Sequence, residues 1–472
     1  MTPSHTRASR SKHIFQLLKE AIKGHEQDYT SGSINRAIFL LSVPMVLEML
    51  MESIFALVDA FFVSKISKAA VATVGLTESL LTIIYSVAIG LSMAATAVIA
   101  RRVGEKNPEK AAQAAVQAIY VTAVVSIIVS VIGLFYSRDL LILMGADSSI
   151  TTDNYHYTEI MLTGNIVVMM IFLINGIFRG AGNAAIAMRS LWLANILNII
   201  LCPTLINGFG PIPALGLKGA AIATTIGRGC GVLYQLYHLF GSKGVIRIRK
   251  PHLAADFPVI GNIVRIAAGS TGQFLIASAS WIFLVRIISR FGNDAIAGYT
   301  IAIRILLFAL QPSWGMANAA ATLVGQNLGA GEPGRAEKSV WKTAFYNMIF
   351  LAIVGLVSII FAEPILGFFI HNEPEVIRYG KECIWYVCMG YLFYAYGMVI
   401  AQAFNGAGDT LTPTILNLFG FWFFQIPLAY LVAVHFQMGP KGVFMCIAIA
   451  ESAMAIVAIL LFRRGKWKTV KV

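Results

Sequence analysis

Long stretches of this chain run without a single Asp, Glu, Lys or Arg, among them Gln113–Ser137, Ile160–Phe178, Ser190–Leu217, Ile305–Gly331, Cys383–Gly408 and Leu411–Pro440. Each is near or beyond the ~20 apolar residues that cross a hydrocarbon core as a helix. Of all 472 residues 57% are hydrophobic and only 12% charged, against about 25% charged in a soluble chain. The pattern defines an all-α polytopic membrane protein.

Hydropathy places twelve spanning helices at approximately 36–63, 70–100, 111–136, 157–178, 186–207, 215–240, 259–289, 295–326, 338–362, 378–404, 411–434 and 441–462. With the N-terminus inside, the inner segments hold 24 Lys and Arg, including Arg7, Arg10, Lys12, Arg101, Arg179, Lys243 and Arg335, and the outer loops 8. Positive charge marks the cytoplasmic side, so both termini are expected in the cytoplasm, with the chain in a cell (inner) membrane. The net charge of +13 is then a topology signal, and nucleic acid is not an expected partner. The expected organisation is a leader over 1–33, a six-helix lobe over 34–242, a basic linker over 243–258, a second lobe over 259–462 and a basic tail over 463–472. In the leader, Ile14, Leu17, Leu18, Ala21 and Ile22 recur at helical spacing. They read either as an amphipathic helix on the membrane surface or as a disordered segment.

The two halves resemble each other at an offset near 225 residues. VGEKNPEKA (Val103–Ala111) is matched by LGAGEPGRA (Leu328–Ala336), FRGAGN (Phe178–Asn183) by FNGAGD (Phe404–Asp409), and GLKGAA (Gly216–Ala221) by GPKGVF (Gly439–Phe444). Six crossings per half is an even number, so the halves are parallel. They are expected to be related by a pseudo-two-fold axis along the membrane normal, with a cavity between them. That plan suits alternating access, and a receptor has no evident need for it.

Within the first span, Glu48, Glu52 and Asp59 stand four and eleven residues apart, within roughly 40° of one helix face. A charge at the centre of such a helix costs about 2.5–3.5 kcal/mol or more, so the stripe must face water, partners or a moving ligand. The counterpart positions in the second half are Gln273, Ala277 and Leu284, so coupling is expected in the N-terminal half. Burial and like charge favour the protonated form of a carboxyl. At least one of the three should therefore hold a proton near neutral pH unless a cation displaces it. Glu48 reads equally as functional or as paired with a basic group. Arg228 in the sixth span needs a carboxylate partner, for which Glu78 in the second is the candidate, either as a brace or as a competitor for the stripe. Arg304 and Glu451 form a similar possible pair in the other half. Pro44 interrupts the first helix's hydrogen-bond ladder and reads as a gating element.

Several motifs together resemble the multidrug and toxic compound extrusion (MATE) family. They are the Pro-containing first helix ending in Leu57-Val58-Asp59-Ala60-Phe61, the RGAGN and NGAGD elbows, the Asn-rich fifth helix (Asn195 to Leu201), GLKGAAIAT, and LVGQNLGAGEPGRA. Their order and register cover roughly residues 34–462. The resemblance implies a secondary antiporter exporting organic, often cationic, compounds against protons or sodium ions. It makes Asp59 the coupling aspartate and Asn198 its companion, with Thr224 or Thr225 completing the site. Cys202 stands where the family often has an aspartate, and the acid of the seventh helix used by another branch is absent. Sodium needs several hard oxygen ligands at once, so protons are favoured as the coupling cation.

The expected partners are small organic molecules, the coupling cation and the lipid bilayer; the sequence is silent on oligomeric state. No cofactor is expected beyond the ion gradient. The five cysteines lie almost wholly in apolar segments without paired spacing, which supports neither disulfides nor zinc. Glycines in the elbows lack the strand context and lysine of a phosphate loop. Phe419, Phe421, Trp422, Phe423, Phe424, Met45, Met49 and Met51 line either an adaptable cavity or lipid and packed neighbours. A lipid-linked oligosaccharide flippase of the wider superfamily is the alternative, but it should line its cavity with cationic residues. A polytopic membrane enzyme would need a convergent catalytic constellation, and none is visible; the chain is read as no enzyme.

Overall fold

The computed structural model describes residues 15–24, 29–148, 150–211, 213–241, 244, 246–370 and 373–472. Ile14, Arg7, Arg10, Lys12 and Lys243 lie outside them. A short helix α1 over 15–23 packs Ala21 inward and leaves Phe15 and Ile22 exposed. The N-terminal lobe follows as α2 (Ile34–Ser64), α3 (Lys68–Gly104), α4 (Pro108–Leu143), α5 (Tyr155–Thr163), α6 (Asn165–Gly180), α7 (Ala184–Asn207) and α8 (Leu217–Phe240). The C-terminal lobe comprises α9 (Phe257–Ile288), α10 (Asn293–Gly329), α11 (Pro333–Ile360), α12 (Ala362–Phe369), α13 (Pro374–Met389), α14 (Tyr391–Ala407), α15 (Leu411–Asn417), α16 (Ile426–Tyr430) and α17 (Pro440–Arg463).

Pairing α5 with α6 and α13 with α14 gives eleven spans long and apolar enough to cross a membrane, Leu411–His435 among them, and α8 adds a twelfth crossing. The fourth and tenth crossings are bent by 43° and 58°, where the sequence suggested continuous helices. The bends fall at Gly164 and Gly390, counterparts in the repeat. Gly164 abuts Thr225 of α8 and Gly390 abuts Ala448 of α17, so each glycine lets its broken helix approach the last span of its lobe.

The pseudo-two-fold is visible in reciprocal contacts between the lobes. α2 packs on α10 as α9 packs on α3, and α3 and α10 meet on the axis. A Cβ at Gly315 of α10 would stand 2.7 Å from the Met45 carbonyl of α2, and one at its counterpart Gly90 of α3 would stand 2.8 Å from the Ala267 carbonyl of α9. Only glycine permits backbones to cross so closely. At one face the ends of α3 and α10 interlock the same way, Gly104 against Gln326 and Gly329 against Arg101.

That face, which also holds the C-terminal tail, is closed. Leu91–Ala100 of α3 and Ala319–Leu328 of α10 are buried throughout. Gln326 donates to the Gly180 carbonyl (3.0 Å) and Thr322 to the Arg179 carbonyl (3.1 Å). The tail straps both lobes: Trp467 is fully buried and stacked on Phe462, while Arg101 and Arg102 donate to the carbonyls of Val470 (2.8 Å) and Val472 (2.9 Å). Toward the opposite face the lobes part, exposing Glu78, Ser79 and Thr82 of α3 and Arg304 and Leu307 of α10.

Candidate functional site

The three carboxylates of α2 have three different environments. Glu48, 1% exposed, accepts a short hydrogen bond from Arg179 and one of 3.0 Å from Asn175, both on α6. Gln235 of α8 steadies this corner by donating to Asn175 Oδ1 (2.5 Å) and Ser190 Oγ (2.9 Å). Glu52 accepts from Arg228 Nη2 of α8 at 2.7 Å and from Asn195 Nδ2 of α7 at 3.1 Å. The Arg228 guanidinium also lies over the rings of Phe55 (5.4 Å) and Phe172 (5.8 Å). These ring faces help to compensate Nε and Nη1, which have no hydrogen-bond partner.

Asp59 has no such partner among the described residues. Its Oδ1 accepts only a thiol hydrogen bond from Cys202 Sγ at 3.7 Å, and a thiol is a weak donor. On the same helix as Cys202 and one turn earlier, Asn198 Nδ2 donates to Thr224 Oγ1 (2.9 Å), and Asn198 Oδ1 is buried without a partner. Asn198 and Thr224 are therefore bonded to each other, and Asp59 to Cys202.

Two expectations about ion pairs are corrected. Arg228 is paired with Glu52, not Glu78, because α8 presents it toward α2. Glu78 instead is exposed on α3 and makes no ion pair among the described residues. Glu451 makes no ion pair with Arg304 or any other base among the described residues, and Arg304 is exposed. Arg179, counted as a loop residue, is 7% exposed and belongs to the buried Glu48 pair. Sequence reasoning missed Asn175, Asn195 and Gln235 as partners of the stripe; polar residues inside otherwise apolar spans were the available signal. Pro44 sits within an unbroken α2, next to the Met45 carbonyl that Gly315 crosses. Of the aromatic run in the eleventh span, Phe421 is buried at a cavity while Phe419, Phe423 and Phe424 are exposed.

Twelve helices in two lobes about a central axis, closed at one face and parted at the other over a charged cleft, define a polytopic membrane transporter. The MatE family profile matches the chain twice, over residues 44–204 and 270–431, once in each lobe. The chain belongs to the MatE family of multidrug efflux transporters. It is similar to the "Probable multidrug resistance protein NorM" of Thermotoga maritima, 24% identical over 435 residues covering 92% of this chain and 93% of the relative. A Shewanella oneidensis protein named "FAD transporter" is likewise 24% identical, over 92% of this chain and 95% of its own length. Among solved structures, a MOP superfamily transporter from Pyrococcus furiosus superposes with a TM-score of 0.88 at 25% identity, covering 96% of this chain and 99% of that one.

Proposed function

We infer that this chain is a secondary antiporter of the cell's inner membrane, exporting small amphiphilic organic cations in exchange for protons at Asp59. The observation that carries the reading is the unequal partnering of the acidic stripe. Glu48 and Glu52 are each neutralised by a buried arginine, which makes them braces of the N-terminal lobe. Asp59 is the member of the stripe that makes no ion pair among the described residues, so its carboxyl can hold either a proton or a cationic ligand, and one displaces the other.

The surroundings of Asp59 favour protons over sodium. Sodium would need several hard oxygens converging on one point. Here a thiol occupies one side of Asp59, and Thr224 is already bonded to Asn198. With the basic, tail-bearing face toward the cytoplasm, the conformation is open outward. Return to the inward state requires the Gly104–Gln326 interlock and the tail contacts to part. Pro44 lies where α2 crosses α10, so a bend there on protonation of Asp59 would move the crossing and carry the ion's state to the gate.

The test is transport of ethidium in proteoliposomes. A pH gradient at equal sodium should drive it, and a sodium gradient at clamped equal pH should not. Robust transport on the sodium gradient alone would contradict proton coupling.

A further inference from the structure

The C-terminal lobe contains a cavity of about 180 Å³ lined by α9, α10, α14, α17 and the eleventh span. Its position follows from the repeat. Glu451 stands twelve residues after Gly439, as Arg228 stands twelve after Gly216, so Glu451 is the counterpart of Arg228. The counterpart of Glu52 is Ala277, and it lines the same cavity. Where the N-terminal lobe is filled by the Glu52–Arg228 ion pair, the C-terminal lobe has lost one side chain to alanine and carries the opposite charge on the other.

What remains is a space whose described lining has acceptors and no Lys or Arg. Glu451 makes no ion pair among the described residues. Gln273, the counterpart of Glu48, lines the cavity too; it is 9% exposed and its Oε1 has no hydrogen-bond donor. The remaining wall is aromatic, with Trp314, Tyr394 and Phe421 around the space. A carboxylate, an unsatisfied carbonyl oxygen and aromatic faces together are complementary to an alkylammonium group: Coulomb attraction and cation–π contact act on the charge, and the rings shelter the alkyl groups. An inorganic cation would gain little from that apolar wall.

We propose that the C-terminal lobe carries a second binding site, centred on Glu451, for the ammonium head of a small organic cation. The site occupies the place that an ion pair fills in the N-terminal lobe. It rests on the reading that the cargo is cationic, but equilibrium occupancy needs no gradient. Loss of proton-driven export would leave the site standing, and failure of the site would leave coupling at Asp59 standing.

The probe is tetraethylammonium, added to the purified full-length chain before treatment with N,N′-diisopropylcarbodiimide. The carboxyl of Glu451 adds across a C=N bond of the reagent with no leaving group, and peptide mass spectrometry reads the adduct at that residue. Tetraethylammonium should reduce labelling of Glu451 at least fivefold, and sodium at the same concentration should not. In binding measurements Glu451→Gln should weaken tetraethylammonium at least tenfold, with Glu451→Asp retaining most of the affinity. Labelling that tetraethylammonium does not change, or that sodium suppresses equally, would overturn the proposal. So would a Glu451 that the carbodiimide never modifies, because a cavity closed to it has no entry for an organic cation. The labelling arm uses the unmodified chain and stands even if a variant fails to fold.

Discussion

In the N-terminal lobe the first and last spans are joined by Glu52 and Arg228; in the C-terminal lobe the same two positions are Ala277 and Glu451, facing a cavity. The lobes have kept their scaffold and diverged in charge. The glycine crossings Gly90 and Gly315, the interlocks at Gly104 and Gly329 and the breaks at Gly164 and Gly390 all come in matched pairs. Each serves backbone packing, which the pseudo-two-fold imposes equally on both halves. Side chains facing a lobe's interior are under no such constraint. One lobe braces two of the three carboxylates of its first span with arginines and leaves Asp59 without one, and the other has an acid and open space.

The largest effect expected from breaking this asymmetry is at Arg228. Arg228→Ala strands Glu52 in an apolar interior, and removing one partner of a buried pair costs roughly 3–5 kcal/mol. Thermal unfolding in detergent should show a large fall in Tm. The double variant Glu52→Leu/Arg228→Met, which removes both charges, should recover most of it, whereas Glu451→Gln should leave Tm nearly unchanged because no partner is stranded. Equal losses for Arg228→Ala and Glu451→Gln would erase the distinction between the lobes. Next come the crossings. Gly90→Ala and Gly315→Ala each force a Cβ against a backbone carbonyl, an overpacking of about 1–3 kcal/mol, and the two should cost similar amounts if the axis is real. The smallest effect is at Pro44, where Pro44→Ala restores a helix hydrogen bond and should slow ethidium transport severalfold without changing Tm by more than a few degrees. Unchanged transport would count against a role for that bend.

Much of this architecture was legible in the chain. Charge-free runs mark the spans because the hydrocarbon core excludes charge, and the repeat motifs place the axis because they sit at turns that both halves must make. The breaks at Gly164 and Gly390 were not legible, since a glycine inside an apolar run leaves the pattern unchanged. Ion pairing was only half legible. That Arg228 needed an acid followed from its depth, but choosing Glu52 over Glu78 requires the rotation of α8 about its axis, and a helix surrounded by lipid and protein has little hydropathic asymmetry to reveal it. Arg179 looked like a loop residue because it ends a charge-free stretch, while its side chain turns back into the lobe to meet Glu48. The thiol contact of Asp59 was not legible: Cys202 stood out only as a departure from the family's aspartate, and which side chain it meets depends on how α2 and α7 pack.

The central claim is that the unbalanced carboxyl of Asp59 carries the coupling proton while its two neighbours on the stripe do not. Its most direct test is pH-gradient-driven ethidium transport by Asp59→Asn in proteoliposomes, with correct folding verified by an unchanged Tm. Transport should fall at least a hundredfold, to the level of protein-free vesicles. A variant that still transports ethidium on the pH gradient at the parent rate would contradict the account.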